Sequence, residues 1–218
     1  MSDTFSAEER EVVYRVIRAR RDIRKFSDRA VPADILERIL EAAHFAPSVG
    51  FMQPWNFIVI KSQEIRHKVK ESFEKTNKAE LAKLTESKRQ ELYAQFKLEG
   101  ILESPLNIAV TCDQRRDAPF VLGRAPMPET DVYSTCLSIQ NMWLAARAEG
   151  VGMGWVSIMD RAEVEKLLGL PEQVKLVAYL CVGYPVEFRD IPMLQEVGWK
   201  ARTDLQKLIY EDSWGKSC

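Results

Sequence analysis

Between Arg20 and Arg24 the chain reads Arg-Arg-Asp-Ile-Arg, three guanidiniums and one carboxylate within five residues. Arginine forks match phosphate oxygens and stay charged at any physiological pH, so Arg20, Arg21 and Arg24 suit a dianionic phosphate. Asp22 does not serve that purpose, because an acid repels a phosphate, and its presence asks for a chemical role. Basic residues also favour a helix C-terminus, which accounts for Arg18 and Arg20 without any ligand. Arg24, beyond the helix, fits that plainer origin less well.

Two further stretches could face a ring. From Pro47 to Asn56 two prolines fix the backbone, Gly50 allows close approach, and Ser48, Gln53 and Asn56 offer hydrogen bonds beside Met52 and Trp55 as apolar walls. The same run reads equally well as a helix-to-strand turn whose polar groups satisfy one another. Gly150-Val151-Gly152-Met153-Gly154-Trp155-Val156-Ser157 lacks the third glycine of a dinucleotide fingerprint and leads into a strand, so a Rossmann reading fails. Glycines entering a strand do permit a flat ligand near the backbone. Ser157, at the strand's end, is either a site residue or an ordinary satisfied hydroxyl. Late in the chain, Lys200 reads as a surface charge and Arg202 as a second phosphate contact.

These residues must be positioned by flanking elements. Ser6-Ala7-Glu8-Glu9 is a capping-box start for a helix with Val12, Val13, Val16 and Ile17 on an apolar stripe, ending near Arg20. Pro32 opens a second helix with Ile35, Leu36, Ile39, Leu40 and Ala43 at helical spacing. Phe57–Ile60, Leu106–Val110, Val151–Ile158 and Val174–Tyr184 read as strands, and Asp131 starts the most apolar helix, ending at Glu149-Gly150. A short helix runs from Asp160 to Gly169, and a tail carrying Trp199 and Trp214 ends in one helix from about Arg202. The mixed charges of 61–97 predict a solvated helix or helical pair. Residues 113–128 are too long for a simple connection and suit a lid or binding loop.

The 218 residues, 46% of them hydrophobic, suffice for one substantial core, so the chain reads as a single α+β domain. A net charge of -1 argues against a nucleic-acid partner. No apolar run approaches the ~20 residues a bilayer span requires, and the polar start Met1-Ser2-Asp3-Thr4 lacks a secretory core, so a cytoplasmic location is expected. Cys112, Cys136, Cys181 and Cys218 are scattered and fit small buried hydrophobes plus a terminal thiol, with no metal site. His67 reads as solvated and His44 as a local cap, so no Ser–His–Asp triad is supported and reactivity would be borrowed from a cofactor.

In this order the three constellations resemble the FMN-dependent nitroreductase superfamily. Arg20–Arg24, Ala46–Asn56, Lys97-Leu98-Glu99-Gly100, Val121-Leu122-Gly123-Arg124 and Gly154-Trp155-Val156-Ser157-Ile158 look most like its 5,6-dimethylbenzimidazole synthase branch. The residue at the Asp22 position is usually serine in typical nitroreductases, which makes the acid the discriminating feature. The resemblance covers nearly the whole chain. It implies a nitroreductase-like fold, with a central, mostly antiparallel sheet flanked by helices. It also implies an interlocked homodimer with an extended C-terminal arm over residues 186–218 and lid or insert segments at 61–104 and 113–128.

The activity implied is oxidative breakdown of reduced FMN, as substrate, with O2 into 5,6-dimethylbenzimidazole, the lower base of vitamin B12, and erythrose 4-phosphate. A separate NAD(P)H-dependent flavin reductase would supply the reduced FMN. FMN would be held by Arg20, Arg21, Asp22, Ile23, Arg24, Ser48, Met52, Gln53, Pro54, Asn56, Leu98, Gly154, Trp155, Val156, Ser157 and Arg202, the last from the same chain or from the partner chain. Asp22 would act as the acid–base group along the ribityl chain, kept ionised by the arginines, and Ser157 as a relay near the ring. The alternatives are an NAD(P)H-dependent nitro- or flavin reductase that retains FMN, and a flavin-binding protein without turnover.

Overall fold

The computed structural model describes residues 4–116 and 119–216. The start at Met1–Asp3, the thiol of Cys218 and two positions of the 113–128 segment lie outside the described residues. The described chain divides into two compact units at Phe188/Arg189.

In the first unit, Ser6 caps α1 (Ala7–Ala19) with the reciprocal Ser6–Glu9 hydrogen bonds the sequence predicts. Pro32 precedes α2 (Ala33–His44), and a 3-10 turn at Val49–Phe51 leads into β1 (Trp55–Ile60). The charged region forms α3 (Gln63–Lys83) and α4 (Ser87–Ala94). Its outer face is solvated as predicted, while α3 buries Val69 and Phe73 on its inner face. Then follow β2 (Leu106–Asp113), α5 (Thr130–Ala148), β3 (Gly152–Val156), α6 (Arg161–Leu167, capped by Asp160) and β4 (Val174–Gly183).

The four strands form one antiparallel sheet in the order β1-β2-β4-β3. Both faces are covered, so the central strands read as continuous apolar runs rather than alternating ones. Along β2, Ile108 and Val110 join the core shared with α2 and α5, while Ala109 joins the opposite core with Val69, Phe73 and Val164 of α3 and α6. A bulge where Val110–Thr111 face Ala178 and Leu176 switches β4 between faces: Ala178, Leu180 and Val182 lie in the first core and Leu176 in the second. The central helix α5 also buries Asp131, Ser134, Thr135 and Ser138, more polarity than its apolar reading suggests.

Helix α1 buries none of its residues, and Val12, Val13, Tyr14 and Ile17 stay exposed. In the second unit the expected helix from Arg202 is absent. A four-residue helix at Met193–Glu196 (α7) and a 3-10 turn at Leu205–Leu208 stand there instead. Gly198 and Gly215 flank the stretch at positive φ, and Asp212, also at positive φ, breaks it from within. Leu205, Leu208 and Trp214 are exposed. No helix among the described residues is long and apolar enough to cross a membrane.

Candidate active site

The segment 20–24 does not hang free as a loop. It lies along the open edge of β3, where the Ile23 amide donates to Met153 O (2.9 Å) and the Trp155 amide donates to Asp22 Oδ1 (3.0 Å). Two glycines permit this approach. A Cβ on Gly154 would fall against the Ile23 carbonyl and 2.9 Å from Arg24 Nη1, and one on Gly152 would meet the Ile23 side chain. The space that the sequence suggested for a flat ligand at these glycines is therefore filled by the Asp22–Arg24 chain itself.

Helix α5 fixes the other side of the segment. Trp143 and Arg147 are one turn apart, so they share a face. The Trp143 indole donates to Arg21 O (3.2 Å) and Arg147 Nε to Ala19 O (3.1 Å), satisfying carbonyls at the end of α1. The Arg20 guanidinium lies over the Trp143 ring, 4.9 Å from its centroid. Sequence reasoning missed Trp143 and Arg147. Their four-residue spacing was visible, but nothing in it told which element that face would meet.

The three cations do not surround Asp22 equally. Arg24 bonds to Asp22 Oδ2, whereas Arg21 turns back to the carbonyls of Arg18 (2.6 Å) and Arg20 (2.8 Å). Among the described residues Arg24 Nη1 is buried without a hydrogen-bond partner, an orphaned donor inside a cationic site. Burial, and then the nearby Arg21 and Arg15, hold Arg147 below the usual arginine value, a sign of positive charge crowded at this corner.

The expectation that the arginines keep Asp22 firmly ionised needs correcting. Crowding by surrounding atoms pushes its carboxyl above the usual aspartate value, and the lowering pull of Arg24, the Trp155 amide and Arg20 does not fully offset it. The side chain is still 41% exposed, with one edge in water. That open edge and its two donors, Arg24 and the Trp155 amide, favour the charged form and work against the crowding.

The second constellation is a rigid loop. Gly50, Phe51 and Gln53 all have positive φ (52°, 56° and 48°), and the two non-glycines are strained by about 1–3 kcal/mol each. Ser48 Oγ accepts the Gln53 amide at 3.0 Å, and Gln53 Nε2 donates to Phe51 O at 3.1 Å. Asn56 Nδ2 reaches its cross-strand neighbour Thr111 Oγ1 at 3.3 Å. Met52, Pro54 and Trp55 are buried. The polar groups of this loop largely satisfy one another, and its two apolar walls face the interior. His44 does not cap its helix. Its Nδ1 accepts the Trp55 indole (3.3 Å) and so steadies the loop.

Arg116, which sequence reading left inside a long loop, donates to Gln53 O (2.6 Å), Trp55 O (3.1 Å) and Asn56 Oδ1. Ser157 is exposed just past β3, two residues beyond the Trp155 amide that holds Asp22, and its hydroxyl makes no hydrogen bond among the described residues. Val156 is buried and Leu98 packs at the edge of the second core, beside Glu99, which accepts Lys70 Nζ (2.8 Å) and the Ile101 amide (2.7 Å). Arg202 is an exposed residue of the second unit. Cys112 and Cys181 are buried free thiols, and burial pushes them up to about 11 and about 12, which keeps them protonated and inert.

An arginine-rich segment bridged to the edge of an antiparallel sheet, a strained loop ahead of β1 and helices on both faces define a class that the family model confirms. The model of the nitroreductase family matches residues 17–184, and the chain belongs to that family. Within it, the chain is 43% identical over 183 residues to a protein of Rhodospirillum rubrum named 5,6-dimethylbenzimidazole synthase, covering 84% of this chain and 86% of the relative. A protein of the same name from Rhodobacter capsulatus is 37% identical over 196 residues, 90% of this chain and 94% of the relative. Among solved structures, iodotyrosine deiodinase bound to FMN and 3-iodo-L-tyrosine superposes with a TM-score of 0.68 at 24% identity, over 81% of this chain and 91% of that one, and supports the fold.

Proposed function

We propose that this chain is a 5,6-dimethylbenzimidazole synthase, an oxidoreductase that consumes reduced FMN and O2 and releases the benzimidazole and erythrose 4-phosphate. The reading draws on its nitroreductase fold and on relatives of that name along most of its length. One observation carries it: a carboxylate, Asp22, is held by the Trp155 amide and Arg24 in the middle of a cationic cluster. Asp22 anchors the segment to β3 and, with one edge open to water, also stands where a proton acceptor is needed beside the phosphate arginines.

The residues fit an FMN group. The orphaned Arg24 Nη1 and the neighbouring Arg20 and Arg21 would take the phosphate end, with Arg202 as a further contact from a partner chain. Ser48, Gln53 and Asn56 would border the ring with Met52 and Pro54 backing the loop from within, together with Leu98 and the Trp155–Ser157 edge, which Gly154 lets the Asp22–Arg24 chain approach. Reduced flavin supplies the electrons that activate O2. Asp22, tethered beside the phosphate arginines, would accept a proton from the ribityl chain near C1′ and return one as the four-carbon sugar phosphate leaves. Ser157, one turn of strand away with a free hydroxyl, would orient a proton at the ring end.

A homodimer completes the proposal. An amphipathic helix that buries nothing has an unpartnered face, and the exposed Val12, Val13, Tyr14 and Ile17 of α1 supply one. The segments 61–104 and 113–128 would shelter the site, residues 186–218 would form an exchanged arm, and a separate flavin reductase would deliver the reduced FMN.

The test is to incubate the protein with FMN, NADPH, a separate flavin reductase and air, then separate the products by HPLC. Appearance of 5,6-dimethylbenzimidazole with loss of FMN is expected. Persistence of FMN while this protein alone oxidises NADPH would replace the proposal with a reductase.

A further inference from the structure

The loop 48–56 is gripped by a residue that the flavin site as drawn does not use. Gln53 occupies a backbone conformation that non-glycine residues avoid, and both of its backbone polar groups are held from outside: its amide by Ser48 Oγ (3.0 Å), its carbonyl by Arg116 Nη1 (2.6 Å). The same guanidinium reaches Trp55 O (3.1 Å) and, through Nη2, Asn56 Oδ1. One planar fork thus ties three successive parts of the loop, and among the described residues it has no acidic partner. A half-buried cation spent wholly on neutral acceptors of a strained loop is not explained by surface charge pairing.

Arg116 comes from the 113–128 segment, and the same segment touches the loop again. A Cβ on Gly50 would come within 2.8–2.9 Å of the Leu122 backbone and the Val121 side chain. The Asp113 amide also donates to Pro54 O at 2.7 Å. The segment is strapped onto the loop at three places, at its start, at Arg116 and at Val121–Leu122.

We infer that Arg116 is a positioning residue that holds Gln53 and Asn56 in the strained shape needed to border the flavin ring. This rests on the flavin reading above and deepens it. Without the fork, the strain at Phe51 and Gln53 has no counterweight on the carbonyl side. The loop then relaxes, and the ring loses its wall although no residue touching it has changed.

Titration of the full-length protein with oxidised FMN, followed by quenching of flavin fluorescence and by the bound visible spectrum, tests this. Arg116→Ala is expected to weaken FMN affinity by roughly ten-fold or more, the equivalent of one lost charge-assisted hydrogen bond, and to blur the bound spectrum. Phe51→Gly, which relieves one strained position on an exposed residue, should restore part of that affinity in the Arg116→Ala background. Tm is read in parallel: a merely structural loss would lower Tm and affinity together, whereas loss of positioning weakens affinity with Tm little changed. Should Arg116→Ala fail to fold, Arg116→Lys, which keeps the charge without the fork, is titrated in its place with the same expectations. Wild-type affinity and spectrum in the Arg116 variant, or no recovery with Phe51→Gly, would overturn the role of Arg116 and leave the flavin reading standing. A wild-type protein that does not quench FMN at all would overturn both.

Discussion

The two halves of the site are held in opposite ways. Residues 20–24 carry full charges and are fixed by pairing to a strand edge, with Ile23 bonded to Met153 and Asp22 to Trp155. Residues 48–56 carry no charge. They are fixed by backbone strain and by neutral hydrogen bonds, with one cation, Arg116, brought in from another segment. The charged half can respond chemically, since a carboxylate among cations has a proton equilibrium to use. The neutral half can only hold shape. Under the proposed function, this division would place proton transfer at one end of the flavin and orientation at the other.

The sharpest way to break the contrast is Asp22→Asn. The amide can still accept the Trp155 hydrogen bond, so FMN binding should stay within a few-fold of wild type, while benzimidazole formation falls by roughly 100-fold or more. Unchanged product yield by HPLC would remove Asp22 from the mechanism. Gly154→Ala comes next, because it forces a methyl into the Ile23 carbonyl and detaches the charged half from its strand. Overpacking of this kind costs about 1–3 kcal/mol, or several degrees in Tm. FMN affinity should fall with it, and a variant with wild-type melting and binding would show that the pairing to β3 is dispensable.

Ser157→Ala should reduce turnover less completely than Asp22→Asn, by about 100-fold at the low end of proton-transfer effects, without altering Tm. A wild-type rate would return Ser157 to the role of an ordinary exposed hydroxyl. The smallest effect expected is a shift in pH dependence. Asp22 lies above the usual aspartate value, so if its ionised form accepts the proton, turnover falls on the acid side as pH drops through that raised value. Arg24→Gln removes a lowering influence and should move this acid limb further up at saturating FMN. A limb that stays put or moves down would mean that another group governs it.

Much of the fold was legible because its signals are local. The Ser6–Glu9 capping box, the Pro32 start, the Asp160 cap and the four apolar strands stand where the sequence puts them, since caps and periodicity act over one or two turns. The helix expected from Arg202 did not form, because Asp212 at positive φ breaks the stretch and no packed face offsets it, a tertiary condition that local signals do not carry. The composition of the site, three arginines and an acid, then a rigid loop of small and amide residues, could also be read directly.

What the sequence alone determined, then, is which groups are available and which short elements carry them. Only the tertiary structure decided how they are used. It filled the space at Gly152 and Gly154 with the Asp22–Arg24 chain, because an open strand edge offers unpaired amides that a neighbouring segment can satisfy. It turned Arg21 back onto the carbonyls of Arg18 and Arg20 and left Arg24 to bond Asp22. It raised the Asp22 carboxyl where charge counting alone would lower it, because desolvation depends on how many atoms crowd a group from all parts of the chain. It also brought Arg116 across 60 residues of sequence to Asn56, a contact for which no spacing or local propensity carries a signal.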